Sequence, residues 1–437
     1  MDGLIYALGV VVFFVGLMAS IALHEVGHMW PAKKFGVKVT QYFVGFGRTV
    51  WSVRRGETEY GFKAIPLGGF VKLVGMLPPA KEEREDEEHP QRVRSTNTGM
   101  FTQLISDARA AEYEHVQPGE EDRLFYRKPW WQKLIVMSGG PMVNILLAVL
   151  LFGVVFVGIG APQATTTVAE VSECVIPADQ QREVCADDDP QAPAFDAGIE
   201  PGDRIVSFNG VQVESWDDLT DLIRDNDAGE ATIVVERDGE PLTLHTNTVV
   251  SLREDRDDAD SYENVGFLGV SPTQESVRED PLFVVTTMWD YTKLTGEAII
   301  DMPERLVGVA QAAFGDEREQ DSPMSVVGAS RVAGDITTID ETTWGERIGA
   351  LIALLGAVNL FVALFNFIPL LPLDGGHIAG ALWEAGRRGI ARLRKRPDPG
   401  YVDVAKMLPV AYAVASVLIV MGALLIYADI VNPVTLE

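Results

Sequence analysis

Two histidines and a glutamate stand close together in the run His24-Glu25-Val26-Gly27-His28. Residues four apart share one face of a helix, so the two imidazoles lie one turn apart and can bind a single Zn²⁺. The glutamate between them is spaced to move protons beside such a metal. His-Glu-x-x-His also arises by chance in unrelated chains, so its setting decides how it is read. Gly3 to Leu23 contains no charged residue, about the length of ~20 apolar residues that a bilayer crossing needs. Histidine and glutamate are costly at membrane depth, where an ionisable cluster marks a functional site.

A catalytic zinc takes three protein ligands and keeps its fourth position for water. The third ligand is expected from Asn366-Phe367-Ile368-Pro369-Leu370-Leu371-Pro372-Leu373-Asp374-Gly375-Gly376, where two prolines and a glycine pair interrupt an apolar run. Proline breaks a helix, and broken backbone at membrane depth is tolerated only inside protein or along a cavity. A carboxylate at that break needs a partner, so the metal set is read as His24, His28 and Asp374, with Glu25 as the catalytic base. Asn366 either hydrogen-bonds substrate backbone or the developing oxyanion, or caps the broken helix. His377 reads as a buried neighbour of the site rather than a fourth ligand. His89, His115 and His245 fall in polar segments and read as solvated.

The elements that must bring these residues together are legible in the charge pattern. Four apolar segments occupy roughly 3–32, 131–160, 347–383 and 407–430. Lys33, Lys34, Lys38, Arg48, Arg54 and Arg55 follow the first, and Arg127, Lys128 and Lys133 flank the start of the second. Arg387, Arg388, Arg392, Arg394, Lys395 and Arg396 separate the third from the fourth. Basic loops stay in the cytoplasm, which places the 162–346 segment and both termini outside. The first run lacks the basic start and small-residue cleavage site of a signal peptide. His28 lies five residues before Lys33 and Asp374 13 before Arg387, or roughly 8 Å and at most about 20 Å at helical rise. Both motifs therefore fit the cytoplasmic half of the bilayer.

The net charge of −27 excludes a nucleic-acid partner, which would demand a basic face. Residues 162–346 hold 41 Asp+Glu against 11 Lys+Arg, a balance of 11 − 41 = −30. That segment begins a β-rich unit. Ala197 to Gly210 reads as a turn, a strand and an Asn-Gly turn; Trp216–Arg224 reads as an amphipathic helix; Ala231–Arg237 and Pro241–Thr246 read as a hairpin around Asp238-Gly239. Gly266-Phe267-Leu268-Gly269-Val270 either forms a loop that binds a carboxylate or leads back to the membrane, the second being preferred. Residues 281–312 carry Asp290, Lys293, Glu297 and Asp301 and suit a surface-lying amphipathic helix. Cys174 and Cys185, the only cysteines, fall in the exported segment, where a disulfide between them is expected over free thiols. On the other side, Gly61 to Leu73 reads as two short strands around Pro66-Leu67-Gly68-Gly69, a hairpin dipping into the interface. Gly68, Gly69 and Phe70 are its substrate-binding candidates, by edge pairing with an unwound strand. The run Glu82 to Glu88 reads as a solvated charged loop.

The HEVGH run, the Asn-x-x-Pro-x-x-x-x-Asp-Gly-Gly run and Gly139-Gly140-Pro141-Met142-Val143-Asn144 together resemble the site-2 protease family of intramembrane zinc metalloproteases. Within it, the layout is most similar to the regulator-of-sigma-E group and its actinobacterial members. The resemblance implies a polytopic α-helical membrane protein of about four transmembrane helices, one broken at the metal site, with an inserted extracytoplasmic PDZ domain of mixed β/α structure. It implies residues 1–35 as the HExxH helix, 36–128 as a cytoplasmic loop with a membrane-associated hairpin, and 129–160 as the second helix. Residues 161–265 would be the PDZ domain, 266–345 a connecting region, 346–385 the third helix, 386–406 a basic loop and 407–431 the fourth helix. The implied activity is zinc-dependent cleavage of single-pass membrane proteins, typically anti-sigma factors, within the lipid bilayer after another protease has acted. A peptide bound at the PDZ unit is a further implied partner. One PDZ-like unit instead of two, and the cysteine-bearing insertion at 173–190, depart from enterobacterial members. The alternative is an inactive membrane-anchored PDZ scaffold with a structural metal. A structural zinc is usually closed by four protein ligands, whereas three appear here and Glu25 is kept.

Overall fold

Leucine, valine and phenylalanine fill four helices that are long and apolar enough to cross a membrane: Gly3–Lys34, Trp130–Ile159, Trp344–Asn366 and Val404–Val431. The protein is a polytopic membrane protein. The computed structural model describes residues 2–79, 105–109, 116, 119–180, 182, 184–186, 189–255, 261–312, 318, 322–339 and 342–434. The charge run at 82–88, His89 and His115 lie outside the described residues. Contacts divide the chain into one unit of Met1–Gly158 with Glu279–Glu437 and a second of Ile159–Arg278.

In the first unit, the opening helix (Asp2–Lys34) packs Phe13 and Leu17 against Ala333 of the helix Val326–Thr338. The second spanning helix (Trp130–Gly153) and third (Trp344–Asn366) meet through Ala148, Phe152 and Leu360. Thr343 and Glu346 start the third with a reciprocal capping box, which satisfies two otherwise orphaned backbone donors. The third helix ends at Asn366, and a new one runs from Asp374 to Leu393. Gly375 and Gly376 fold back against the turn between them: a Cβ on Gly375 would strike the Ile368 carbonyl, and one on Gly376 would come within 2.7 Å of the Leu371 nitrogen. Residues 281–312 form two helices, Pro281–Ile300 and Met302–Ala312. Val284 of the first is buried with Ala148, Phe152 and Leu360 of the spanning helices.

The hairpin region differs from its expected form. Strand β1 (Val39–Arg55) pairs antiparallel with β2 (Thr58–Leu73). Gln41–Val44 has partners on both sides, Glu59–Phe62 on one and Gly69–Lys72 on the other. The strand segments flanking the Pro-Leu-Gly-Gly run therefore pair with the β1 segment lying between them, not with each other. The alternation of residue types in 61–73 reports two extended segments but carries no information about the partner.

In the second unit, strands β3 (Ala161–Val171), β4 (Arg204–Phe208), β5 (Val211–Gln212), β6 (Glu230–Arg237), β7 (Glu240–Asn247) and β10 (Val270–Val277) form a sheet ordered β10-β3-β4-β6-β7 with β5 on β4. Strands β8 (Val249–Glu254) and β9 (Tyr262–Phe267) pair separately. Ser215 and Asp218 cap the helix Trp216–Asp225, and Ile205, Phe208, Leu219, Ile233 and Leu268 fill the core. Asp238 and Gly239, with φ of 53° and 84°, make the β6–β7 turn with the positive φ values a two-residue hairpin favours.

One boundary and one loop differ from expectation. The unit runs to Arg278, not 265, because β10 lies along β3 from Val270 opposite Val171 to Val277 opposite Ala161. Gly266–Val270 therefore neither returns to the membrane nor stands free. It joins β9 to β10, with Leu268 in the core and its carbonyl accepting from the Ala194 N–H at 2.8 Å. Cys174 and Cys185 are disulfide-bonded. Close by in sequence, hydrogen bonds from the Arg182 guanidinium draw the pKa of the Asp189 carboxyl down to about 2. Asp203 is 1% exposed. Burial pushes its carboxyl up, but bonds from Arg237 and the Glu200 N–H outweigh that and hold it below its usual range.

Candidate metal centre

The HExxH run lies on the last turns of the opening helix, which place His24 and His28 on one face as their spacing requires. Opposite them passes the second spanning helix, and two glycines allow the approach. A Cβ on Gly27 would strike the Gly139 carbonyl, and one on Gly139 would strike the Gly27 carbonyl. The His28 Nδ1–H donates to the Val136 carbonyl at 2.8 Å. That bond leaves the Nε2 lone pair of His28 facing inward, the orientation such an outer hydrogen bond imposes on a metal-ligating imidazole. Asp374 arrives from the break in the third apolar segment, as the first residue of its helix.

The His24 and His28 Nε2 atoms are 3.2 Å apart, and Asp374 Oδ2 lies 3.4 and 3.2 Å from them. Tetrahedral zinc with bonds of about 2.0–2.1 Å separates its ligands by about 3.3 Å, so this triangle fits zinc. Two further observations agree with the fit. Asp374 Oδ2 is buried without a hydrogen-bond partner. Gly140 borders the triangle so closely that a Cβ there would lie 2.6 Å from His24 Nε2 and nearer still to His28 Nε2. Among the described residues, His24, His28 and Asp374 are the one group of this kind arranged to hold a metal.

A cavity of about 490 Å³ opens on the triangle. Glu25, Gly68, Gly69, Phe70 and Asn366 all line it. Glu25 is 9% exposed, and a Cβ on Gly69 would come 3.0 Å from its Cγ. His377 lines the same cavity but lies outside the metal-holding group. Cys174 and Cys185 belong to the second unit, as does His245, whose Nδ1 contacts the Thr232 hydroxyl at 3.2 Å. The sequence marks Gly140 and Asn144 only as members of a motif, without a role, and does not single out Asn359, although both asparagines line the cavity. A glycine pair and single asparagines inside apolar helices were the available signals.

Apolar helices gathered around two imidazoles, a carboxylate and an adjacent glutamate define a membrane metallopeptidase. The chain belongs to peptidase family M50, whose model matches residues 12–408. The zinc metalloprotease Rip1 of Mycobacterium tuberculosis (strain ATCC 25618 / H37Rv) is 32% identical over 444 residues, covering 99% of this chain and 100% of that protein. Rip1 of Mycolicibacterium smegmatis is also 32% identical, over 447 residues with the same coverage. The regulator of sigma-W protease RasP of Bacillus subtilis is 23% identical over 451 residues, covering 91% of this chain and 95% of that protein. The protein is accordingly a zinc-dependent metalloendopeptidase.

Proposed function

We propose that His24, His28 and Asp374 hold the zinc of a site-2-type protease and that Glu25 is its catalytic base. The observation that carries this reading is the triangle of donor atoms 3.2–3.4 Å apart, whose two histidines lie on a helix long and apolar enough to cross a membrane. Zinc bound there supplies Lewis-acid activation of water near neutral pH. Glu25, the neighbour of His24, takes a proton from the attacking water and delivers it to the nitrogen of the departing amine. Asn366, in the cavity wall, donates to the substrate backbone or to the oxyanion as it develops.

The substrate is a single-pass membrane protein of the anti-sigma type, a class supported by the sigma-W regulation named for the B. subtilis relative. A transmembrane helix has its backbone bonds satisfied, so it must unwind locally before a carbonyl reaches the site. Gly69–Lys72 pairs on one side with Gln41–Val44, and Gly69, Phe70 and Val71 line the cavity. That arrangement supports capture of the unwound strand by edge pairing, with Gly68, Gly69 and Phe70 in contact with it. The second unit is read as a PDZ domain outside the cytoplasm that filters or binds substrate, with both termini on its side and the metal in the cytoplasmic half of the bilayer. A reporter fused after residue 250 that is active in the cytoplasm would overturn this topology. The function is tested with purified enzyme and a single-span substrate in detergent: wild type cuts it and Glu25→Gln does not, whereas a variant that still cuts removes Glu25 from its role.

A further inference from the structure

Two asparagines inside the spanning helices are buried and incompletely bonded. Asn144 is 2% exposed and Asn359 1% exposed, and the side-chain carbonyl of each has no hydrogen-bond partner. Both line the cavity that contains the metal triangle. The Asn359 Nδ2 group donates to Ser20 Oγ at 3.0 Å and to the Leu355 carbonyl at 2.8 Å. These bonds use both protons of that amide and leave its oxygen as the free acceptor. A buried acceptor without a partner costs about 1–3 kcal/mol, so two in one cavity wall call for an occupant that donates.

Their position relative to the metal follows from the register of the helices. His28 meets Val136 through a hydrogen bond, Gly27 meets Gly139, and Gly140 lies against His28 and, one turn earlier, His24. Numbers falling on the first helix thus match numbers rising on the second, so the two run antiparallel. Ser20 is one turn before His24, and Asn144 is one turn beyond Gly140. Ser20, with Asn359 bonded to it, and Asn144 therefore stand on the same side of the triangle, each displaced by four residues, or about 6 Å. An extended peptide advances about 3.3 Å per residue. A strand with its scissile carbonyl at the triangle would present backbone about two residues from the cut at this level.

We propose that Asn144 and Asn359 form a subsite for substrate backbone, their side-chain carbonyls accepting N–H groups of the unwound strand about two residues from the scissile peptide. The proposal rests on the function assigned above and adds what holds the strand open. Unwinding in a membrane strips N–H groups of their helical partners, with no bulk water to replace them. Acceptors fixed in the cavity wall supply the partners at that point. The ligand is thus an extended peptide backbone, read without regard to side chain. Selection then favours segments that unwind easily.

The test uses full-length enzyme in detergent and single-span substrates in which one backbone amide at a time, within three residues of the cut, is replaced by an ester that lacks the N–H. In wild type, one or two esters lower kcat/KM by about 5- to 100-fold. In Asn144→Ala or Asn359→Ala, kcat/KM falls with the all-amide substrate by a similar factor. The matching ester then costs less than about twofold more, while zinc content and thermal midpoint stay at wild-type values. If every ester costs both variants as much as wild type, the asparagines are cross-helix packing and the proposal is overturned. Should Asn144→Ala not yield folded, zinc-loaded enzyme, Asn359→Ala carries the same comparison. A wild type that holds zinc but cuts no single-span substrate refutes the assigned function instead, so the two failures are distinct.

Discussion

Replacing Gly140 by alanine tests how closely the second spanning helix frames the metal. The added Cβ would lie 2.6 Å from His24 Nε2, where ordinary contact begins at 3.4 Å, a shortfall of 3.4 − 2.6 = 0.8 Å; it would lie closer still to His28 Nε2. Metal–ligand distances tolerate about ±0.2 Å, so the displacement is about four times what the site can absorb. The neighbouring glycines offer no relief. Gly139 and Gly27 are already in backbone contact, which prevents the helix from sliding inward or rotating freely. Gly140→Ala is therefore expected to lose zinc affinity by at least about 100-fold, more than the roughly 10–100-fold typical when only a supporting residue is changed. The assay is elemental analysis of purified protein equilibrated against buffers of defined free zinc, with cleavage measured on the same samples. Gly153→Ala is the control, since a Cβ there meets nothing within 4 Å; its zinc content and activity should match wild type. If Gly140→Ala binds zinc like wild type, the triangle does not mark the metal.

Other expectations follow from ion pairs away from the metal. Lys133 on the second helix bonds Glu384 at 2.7 Å, with side chains 9% and 2% exposed, so Lys133→Met leaves a buried carboxylate short of a partner and should destabilise the protein by about 3–5 kcal/mol. The double change Lys133→Met with Glu384→Leu should recover most of that loss, as judged by denaturant midpoints. Asp203 gives a pH signature. Its folded-state pKa is lowered from 3.8, so its contribution to stability is fully present above that value and lost as pH falls through the lower, folded-state pKa. Amide hydrogen exchange in β4 should accelerate over that acid window in wild type, and Asp203→Asn should exchange faster at neutral pH while losing that part of the pH dependence.

Much of this was legible in the residues because the membrane simplifies reading. A charge-free run ending in HEVGH, and prolines interrupting another apolar run before Asp374, can be recognised without tertiary knowledge. The strands and turns of the second unit were visible through Asp238-Gly239 and the alternation in β6. What stayed hidden depends on partners distant in sequence. Nothing in Gly61–Leu73 states that Gln41–Val44 lies between its two arms. Nothing in Val270–Val277 states that it completes a sheet begun at Ala161. Asn359 resembles any polar interruption of an apolar helix until Ser20, 339 residues away in sequence, is found bonded to it. Gly140 gains meaning only when two imidazoles stand where its side chain would be.

The most direct measurement of the central claim is X-ray absorption at the zinc edge on the full-length Glu25→Gln enzyme, loaded with one zinc per chain. The expected first shell contains two imidazole nitrogens and oxygen ligands at about 2.0–2.2 Å, and Asp374→Ala should remove an oxygen and weaken zinc retention while His377→Ala leaves the shell unchanged. A shell with one imidazole or none, or one that Asp374→Ala leaves unaltered, would contradict the assignment of His24, His28 and Asp374.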